Sequence, residues 1–345
     1  MMIKISITTT LITIGMLTTF TFFLANADDR LSNSHGLNYD PNKVTVSGLS
    51  SGGYMATQMH IAHSDSIHGA AIIAAGPYYC AQGSIGTALA RCVTKTDSPI
   101  DLTLLNDQLN YYAQQEWIAP LQNLQDDKVW LLHGLKDTTV NRLAADALYT
   151  QYTNLMPSVN VSYIKDQAFG HQFPTDKKGS KCGLSEKPFI GQCNYDAASQ
   201  LLTHLLGPLQ PKSTQLSGKI VKFDQQKYAG ETANTIADDG YIYIPQSCAQ
   251  GDTCQLHVSF HGCNQNESAI GMDYIEDTGL NEWADSNNLI ILYPQTKSSM
   301  FAPLNPQGCW DWWGYTDRYY ATVKGPQIKA IHTMINTFIQ KFPKK

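Results

Sequence analysis

The sequence predicts an α/β protein, a mainly parallel sheet flanked by helices, on three observations. Strand-like and helix-like segments alternate from Val44 onward. Gly69 to Ala75 and Leu289 to Pro294 read as short buried strands. Between the first strand and the first helix lies a Gly-x-Ser-x-Gly turn, Gly48-Leu49-Ser50-Ser51-Gly52-Gly53-Tyr54.

Residues 1–27 read as a secretory signal peptide. Lys4 precedes an apolar, threonine-rich stretch from Ile5 to Leu24, and Ala25-Asn26-Ala27 is an A-x-A cleavage signature. The threonines and the signature argue against an uncleaved membrane anchor. The expected mature chain, 28–345, is read as one catalytic domain with no separate substrate-binding domain. Val44-Thr45-Val46-Ser47 is β-branched and strand-like, and Met55 to Ala62 is helical. Val129 to Leu132 reads as a strand, Asn141 to Leu155 as a helix, Val159 to Ile164 as a strand and Tyr195 to Leu206 as a helix. The segment from Gly207 to Ala237 is richer in Pro, Lys, Gln and Ser and reads as an internal connection, because strand and helix signals resume after it. Tyr241 to Pro245 and Leu256 to Phe260 then read as strands and Thr278 to Ser286 as a helix. After the strand at Leu289, an amphipathic helix from Gln327 to Phe342 closes the chain.

Composition narrows the function. Residues 28–345 carry 23 Lys and Arg against 29 Asp and Glu, a formal charge of −6, with no basic cluster. That speaks against nucleic-acid binding. Eight cysteines in an exported chain argue for disulfides. They fall as near neighbours, Cys80 with Cys92, Cys182 with Cys193 and Cys248 with Cys254, leaving Cys263 and Cys309. No usual zinc-ligand spacing is present, so a metal is not expected.

The turn at residues 48–54 has the chemistry of a nucleophile elbow. A sharp turn lifts a serine hydroxyl clear of the sheet, glycines remove Cβ atoms that would collide, and the helix N-terminus favours developing negative charge. Ser50 is the central serine. It needs a base, and the base needs an orienting acid, in the chain order serine, acid, histidine. Asp137 follows the strand ending at Leu132, and His171 follows the strand ending at Ile164, so all three reach one sheet edge. Asp137 also suits a helix cap, and Asp166 is a rival acid, but it lies too close to His171 to come from a separate strand. His133 and His261, each before a glycine at a strand end, are expected near the site; His60, His63 and His68 are read as structural or solvent-facing. An oxyanion hole would take the backbone N–H of Ser51 and one from Phe260-His261-Gly262-Cys263. In folds built on this elbow that loop precedes the serine. Here it follows, as a circular permutation would produce.

Together with Asn305-Pro306-Gln307-Gly308-Cys309-Trp310-Asp311-Trp312-Trp313-Gly314, these residues resemble the secreted short-chain-length poly(3-hydroxybutyrate) depolymerases of the circularly permuted type. The resemblance covers nearly the whole mature chain. The elbow alone is shared by many esterases and serine peptidases; the tryptophan motif and the permuted order are the specific part. The resemblance implies an α/β-hydrolase fold, cleavage of polyester bonds, Ser50, His171 and Asp137 as triad, and N–H donors at Ser51 and Cys263. It implies a Cys263–Cys309 disulfide tying the oxyanion loop to the tryptophan loop, and no cofactor. Trp310, Trp312 and Trp313, with Tyr54, become candidates for a crevice wall against an apolar ester chain, at least one of the tryptophans being expected in the core instead. Many family members append a linker and a granule-binding domain, whereas this sequence stops at Lys345, so it is expected to bind polymer through its own surface or to prefer oligomers and soluble esters. Rival readings are a secreted esterase for feruloyl, acetyl or lipid esters, a serine peptidase, and a catalytically inactive surface-binding protein.

Overall fold

The structure, a computed structural model, describes residues 37–93 and 100–340. The signal-peptide expectation for 1–27 lies outside the described residues. The central strand β1 (Tyr39–Leu49) pairs in parallel with β2 (Ile67–Ile73) on one side and β10 (Cys254–Phe260) on the other. Beyond β2 lie β3 (Lys128–Leu132) and β4 (Val161–Ile164), both parallel. Beyond β10 lie β11 (Leu289–Tyr293), parallel, then β9 (Asp239–Ile244), antiparallel, and the edge strand β8 (Lys219–Asp224). The sheet order is β4-β3-β2-β1-β10-β11-β9-β8. Counted from β8, it becomes 1-2-4-3-5-6-7-8 with the second strand antiparallel, an α/β-hydrolase sheet whose chain enters at the fifth strand. A small parallel sheet, β5 (Phe173–Thr175), β7 (Ile190–Gln192) and β6 (Ser180–Lys181), stands apart.

Side chains of a strand alternate between faces, and both faces here are buried. Ala70 and Ile72 of β2, with Val129 and Leu131 of β3, join one core; Ala71, Ile73, Trp130 and Leu132 join the other. The first core is covered by α1 (Ser51–Ala62), α3 (Arg142–Leu155) and α6 (Pro326–Gln340) through residues such as Met59, Tyr152 and Met334. The second is covered by α4 (Ala197–Leu206) and α5 (Leu280–Ser286) through Leu201, Leu202 and Ala284. Every residue of α1 is buried, which explains its near-absence of charge: a helix with no solvent face carries no polar stripe. Asn141 caps α3 by accepting from Leu143 N at 2.8 Å, and Asp196 caps α4 by accepting from Ser199 N at 2.9 Å.

Three sequence expectations need correction. The connection from 207 to 237 contains β8, whose only deeply buried side chains are Val221 and Phe223, the weak signature of an edge strand. Helix α1 begins at Ser51, directly after the elbow serine, rather than at Met55. The helix α2 (Leu102–Gln114), with Leu105, Leu109 and Tyr112 buried, was not expected. All four cysteine pairs form as the spacing and the resemblance suggested: Cys80–Cys92, Cys182–Cys193, Cys248–Cys254 and Cys263–Cys309. Among the described residues no helix is long and apolar enough to cross a membrane.

Candidate active site

Ser50 occupies the one-residue turn between β1 and α1 at φ 58°, ψ −121°, a conformation that strains an L-residue. Its backbone N–H donates to Ile73 O at 2.9 Å, fixing the turn to β2. The doubling back is so tight that a Cβ on Gly48 would lie 2.1 Å from Gly52 O, and one on Gly52 would lie 2.1 Å from Phe260 O. The glycines of the motif are therefore required by the approach of α1 to both β1 and the end of β10.

Asp137 and His171 stand on the loops after β3 and β4, at the same sheet edge. His171 Nδ1 and Asp137 Oδ2 are 2.8 Å apart. The other carboxylate oxygen, Oδ1, accepts from the N–H groups of Thr139 and Val140 at 2.8 and 2.9 Å. The Asp137 side chain is fully buried. Burial pushes its pKa up, but the neighbouring His171, its hydrogen bond, His133 and the Val140 N–H together hold it below the ordinary carboxylate value. The base loop is braced by two neighbours. Leu135 N and Lys136 N donate to Gln167 O and Phe169 O, at 2.8 and 2.9 Å. His171 N donates to Ser185 Oγ at 2.8 Å.

Ser50 and His171 share a cavity of about 310 Å³. Gly262 and Cys263 also line it, and a Cβ on Gly262 would lie 3.3 Å from Ser50 Cβ. Within the turn 262–265, the N–H groups of Gly262, Asn264 and Gln265 donate to Gln265 Oε1, Gln307 O and Gly262 O. The Cys263 N–H takes no acceptor among the described residues. Ser51 opens α1, so its N–H has no carbonyl partner within the helix. His261 is buried beneath the turn, with Nδ1 donating to Gly262 O at 2.8 Å and Nε2 accepting from Thr296 N at 3.2 Å; burial lowers its pKa to about 4, so it is neutral.

The aromatic candidates divide. Tyr54, Trp312 and Trp313 line the cavity, and the Tyr54 ring stacks on Trp312 at 4.2 Å. Trp310 does not line it. This residue is fully buried, because its ring packs edge-on to Phe260 at 5.1 Å and tilted against the buried His261 at 5.5 Å. Asp311, also buried, accepts from Gly314, Tyr315 and Thr316 and so folds the loop that presents Trp312 and Trp313; burial raises its pKa despite those bonds. Tyr54 Oη donates to Cys92 O at 2.7 Å, joining the aromatic residues to the segment of Ile85 and Leu89, which also line the cavity. His133 lies 3.9 Å from Asp137, near the site as expected. His60 is buried between Tyr152 and Asp127, His63 stacks on His332, and His68 lies 3.5 Å from Asp127.

Sequence reasoning missed Ser185, Phe189 and Gln265, which also line the cavity. The first two lie inside the Cys182–Cys193 loop. That closely spaced pair, eleven residues apart directly after the base, was the available signal of an ordered excursion there. Among the described residues no group of three or more His, Cys, Asp or Glu is placed to hold a metal ion.

Comparison with known proteins places the fold and the sequence among characterised hydrolases. Residues 25–194 match the prolyl oligopeptidase family, a stretch that includes the elbow, Asp137 and His171. A poly(3-hydroxybutyrate) depolymerase of Delftia acidovorans is 41% identical over 309 residues, 88% of this chain and 61% of that protein. The chain thus spans about three-fifths of that relative's length. A polyhydroxybutyrate depolymerase of Talaromyces funiculosus is 40% identical over 319 residues, covering 88% of this chain and 92% of the relative. The crystal structure of a PHB depolymerase from Penicillium funiculosum superimposes with a TM-score of 0.83 at 37% identity, over 89% of this chain and 99% of that one. A PHB depolymerase complexed with an R3HB trimer matches equally well.

Proposed function

The chain belongs to the poly(3-hydroxybutyrate) depolymerase family, and we propose on that premise that it is a secreted serine esterase hydrolysing poly(3-hydroxybutyrate) or its oligomers. The observation that carries the reading is the convergence on one cavity of the strained Ser50, the Asp137-paired His171 and the unpartnered Cys263 N–H. His171 takes the Ser50 proton as Oγ attacks the ester carbonyl. Asp137 holds Nδ1–H and so keeps Nε2 as the base. The N–H groups of Ser51 and Cys263 receive the oxyanion. Collapse of the tetrahedral intermediate breaks the ester C–O bond, and His171 protonates the departing alcohol. Water then gives a proton to His171 and attacks the acyl carbon; His171 passes that proton to Ser50 Oγ as the 3-hydroxy acid leaves.

Trp312, Trp313 and Tyr54 offer flat apolar faces to the acyl chain. Exposed apolar side chains, some at the cavity and some on a separate turn, also support contact with a solid polyester. Ile85 and Leu89 are about half exposed, and Met300, Phe301 and Leu304 are 72%, 84% and 60% exposed. The latter three sit on a turn closed by the Ser299–Asn305 bridge, and Asn305 Nδ2 donates to the carbonyl of Cys309, a cavity residue. Residues 1–27 are assigned as the export signal, consistent with the four disulfides. We assign residues 28–345 to one catalytic domain.

The test is clearing of a poly(3-hydroxybutyrate) suspension by residues 28–345, beside Ser50→Ala and a soluble butyrate ester. Clearing that disappears in Ser50→Ala, with turnover reduced by several orders of magnitude, is expected. Near-normal activity of that variant refutes the assignment of Ser50. Ester turnover without clearing moves the substrate to oligomers or other esters.

A further inference from the structure

The oxyanion turn and the base loop belong to opposite halves of the chain, yet one residue touches structures bound to both. Gln265 is 1% exposed. Its Oε1 accepts from Gly262 N at 2.7 Å, and its Nε2 donates to Pro188 O at 2.8 Å and Phe189 O at 3.2 Å. One acceptor facing an N–H and one donor facing two carbonyls leave a single orientation of the amide. Pro188 and Phe189 belong to the excursion closed by Cys182–Cys193. The same excursion carries Ser185, which accepts from His171 N, and Cys182, whose carbonyl accepts from Gly170 N at 2.8 Å. Contact is close: a Cβ on Gly170 would lie 2.3 Å from Leu184 O. The excursion is therefore a spacer, held by the base loop on one side and by Gln265 on the other.

We propose that Gln265 is a positioning residue for the oxyanion hole, selecting the Cys263 N–H as the free donor and fixing its distance from His171 through the 182–193 excursion. The inference rests on the serine-esterase reading above. By occupying the Gly262 N–H, Oε1 holds the turn in the one arrangement that leaves Cys263 N–H unpartnered beside Ser50. A transition state gains from such a donor more than a ground state does, so the effect belongs in turnover rather than in binding.

Two variants of the full chain test this. Gln265→Leu is close in volume and removes both polar groups. Gln265→Glu keeps an acceptor for Gly262 but turns an oxygen toward the Pro188 and Phe189 carbonyls. Hydrolysis of a soluble butyrate ester is measured per active site titrated with a fluorophosphonate, so unfolded enzyme does not count. We expect kcat to fall about 10- to 100-fold, with KM changed less than about 2-fold. The inhibition constant of a trifluoromethyl ketone, which forms an oxyanion adduct, should rise by the factor that kcat/KM falls, while that of an uncleavable 3-hydroxybutyrate dimer, its ester carbonyl replaced by a methylene, stays constant. A kcat per titrated site that is unchanged in whichever variants fold overturns the proposal. So does equal weakening of ketone and dimer, which marks general distortion of the crevice. Turnover that survives Ser50→Ala overturns the serine reading and this inference with it; Ser50-dependent turnover indifferent to Gln265 overturns the inference alone.

Discussion

At the scale of single residues, the site depends on groups held in states that water would not favour. Ser50 is strained at φ 58° and Asp137 is a buried carboxylate. The strain is tolerated because Ile73 O, the α1 backbone and the close approach of β10 over-determine the turn. The charge of Asp137 is tolerated because both of its oxygens have partners, His171 on one and two backbone N–H groups on the other. Asp137→Asn keeps the shape but removes the charge that orients His171. It should lower kcat by roughly 10³- to 10⁴-fold with little change in KM, read from soluble-ester kinetics. The pH dependence has a definite sign. The folded-state pKa of Asp137 lies below its unfolded value, so its stabilising contribution is in place above about pH 3.9 and is lost as pH falls through the lower folded value. Urea titrations of wild type and Asp137→Asn should therefore differ at neutral pH and converge in acid below about pH 3.9; a difference that grows on acidification contradicts this.

At the scale of elements, the decisive unit is the β1–turn–α1 elbow packed against the end of β10. Its sequence signal was strong because the geometry forbids any Cβ at Gly48 and Gly52. Gly52→Ala would press a methyl group into the Phe260 carbonyl at 2.1 Å. The neighbouring backbone carries the oxyanion turn and cannot retreat freely. The variant should lose at least about 2 kcal/mol of stability and most of its activity, measured by urea unfolding and ester turnover; wild-type values for both would show that the turn yields. Other elements were less legible, each for a physical reason. Strand β8 is exposed on its outer edge, so its composition resembles a loop. The strands of the small sheet are two or three residues long, too short for a period of two to register. Helix α2 did carry a readable pattern, Leu105, Leu109 and Tyr112 at helical spacing, and reading it would have added the element.

At the scale of the whole molecule, the permutation explains why the loop Phe260-His261-Gly262-Cys263 follows Ser50, Asp137 and His171 in the chain instead of preceding them. Strands β1 to β4 carry Ser50, Asp137 and His171 in the first half of the chain, and β8 to β11 bring the 262–265 turn in the second. The seam between halves, β1 with β10, is parallel and central, so the break in the chain lies at the periphery and leaves the site continuous. Near the start of the described chain, Tyr39 Oη donates to Ile335 O of α6 at 2.6 Å, so the first strand and the closing helix already lie together. A re-permuted protein should consequently fold. It would open between the exposed Gln215 and Leu216 and join residue 340 to residue 37 through a flexible Gly/Ser linker. Its ester turnover should stay within about 10-fold of wild type and its melting should remain cooperative; a molten product would mean that the present order of the halves is needed for folding.

By itself, the sequence determined the α/β class, the elbow and the three near-neighbour cysteine pairs, and it pointed to Asp137 and His171 as partners for Ser50 from their places after two strands. All of these are local: steric exclusion at a turn, apolar runs, and the position of a polar residue just past a strand. The tertiary structure alone decided that Trp310 is core while Trp312 and Trp313 face the cavity. It alone placed Gln265 and Ser185 between the oxyanion turn and the base loop. Those outcomes depend on which segments distant in the chain meet, because a side chain's burial and an amide's partner are properties of the packed neighbours and not of the residue that carries them.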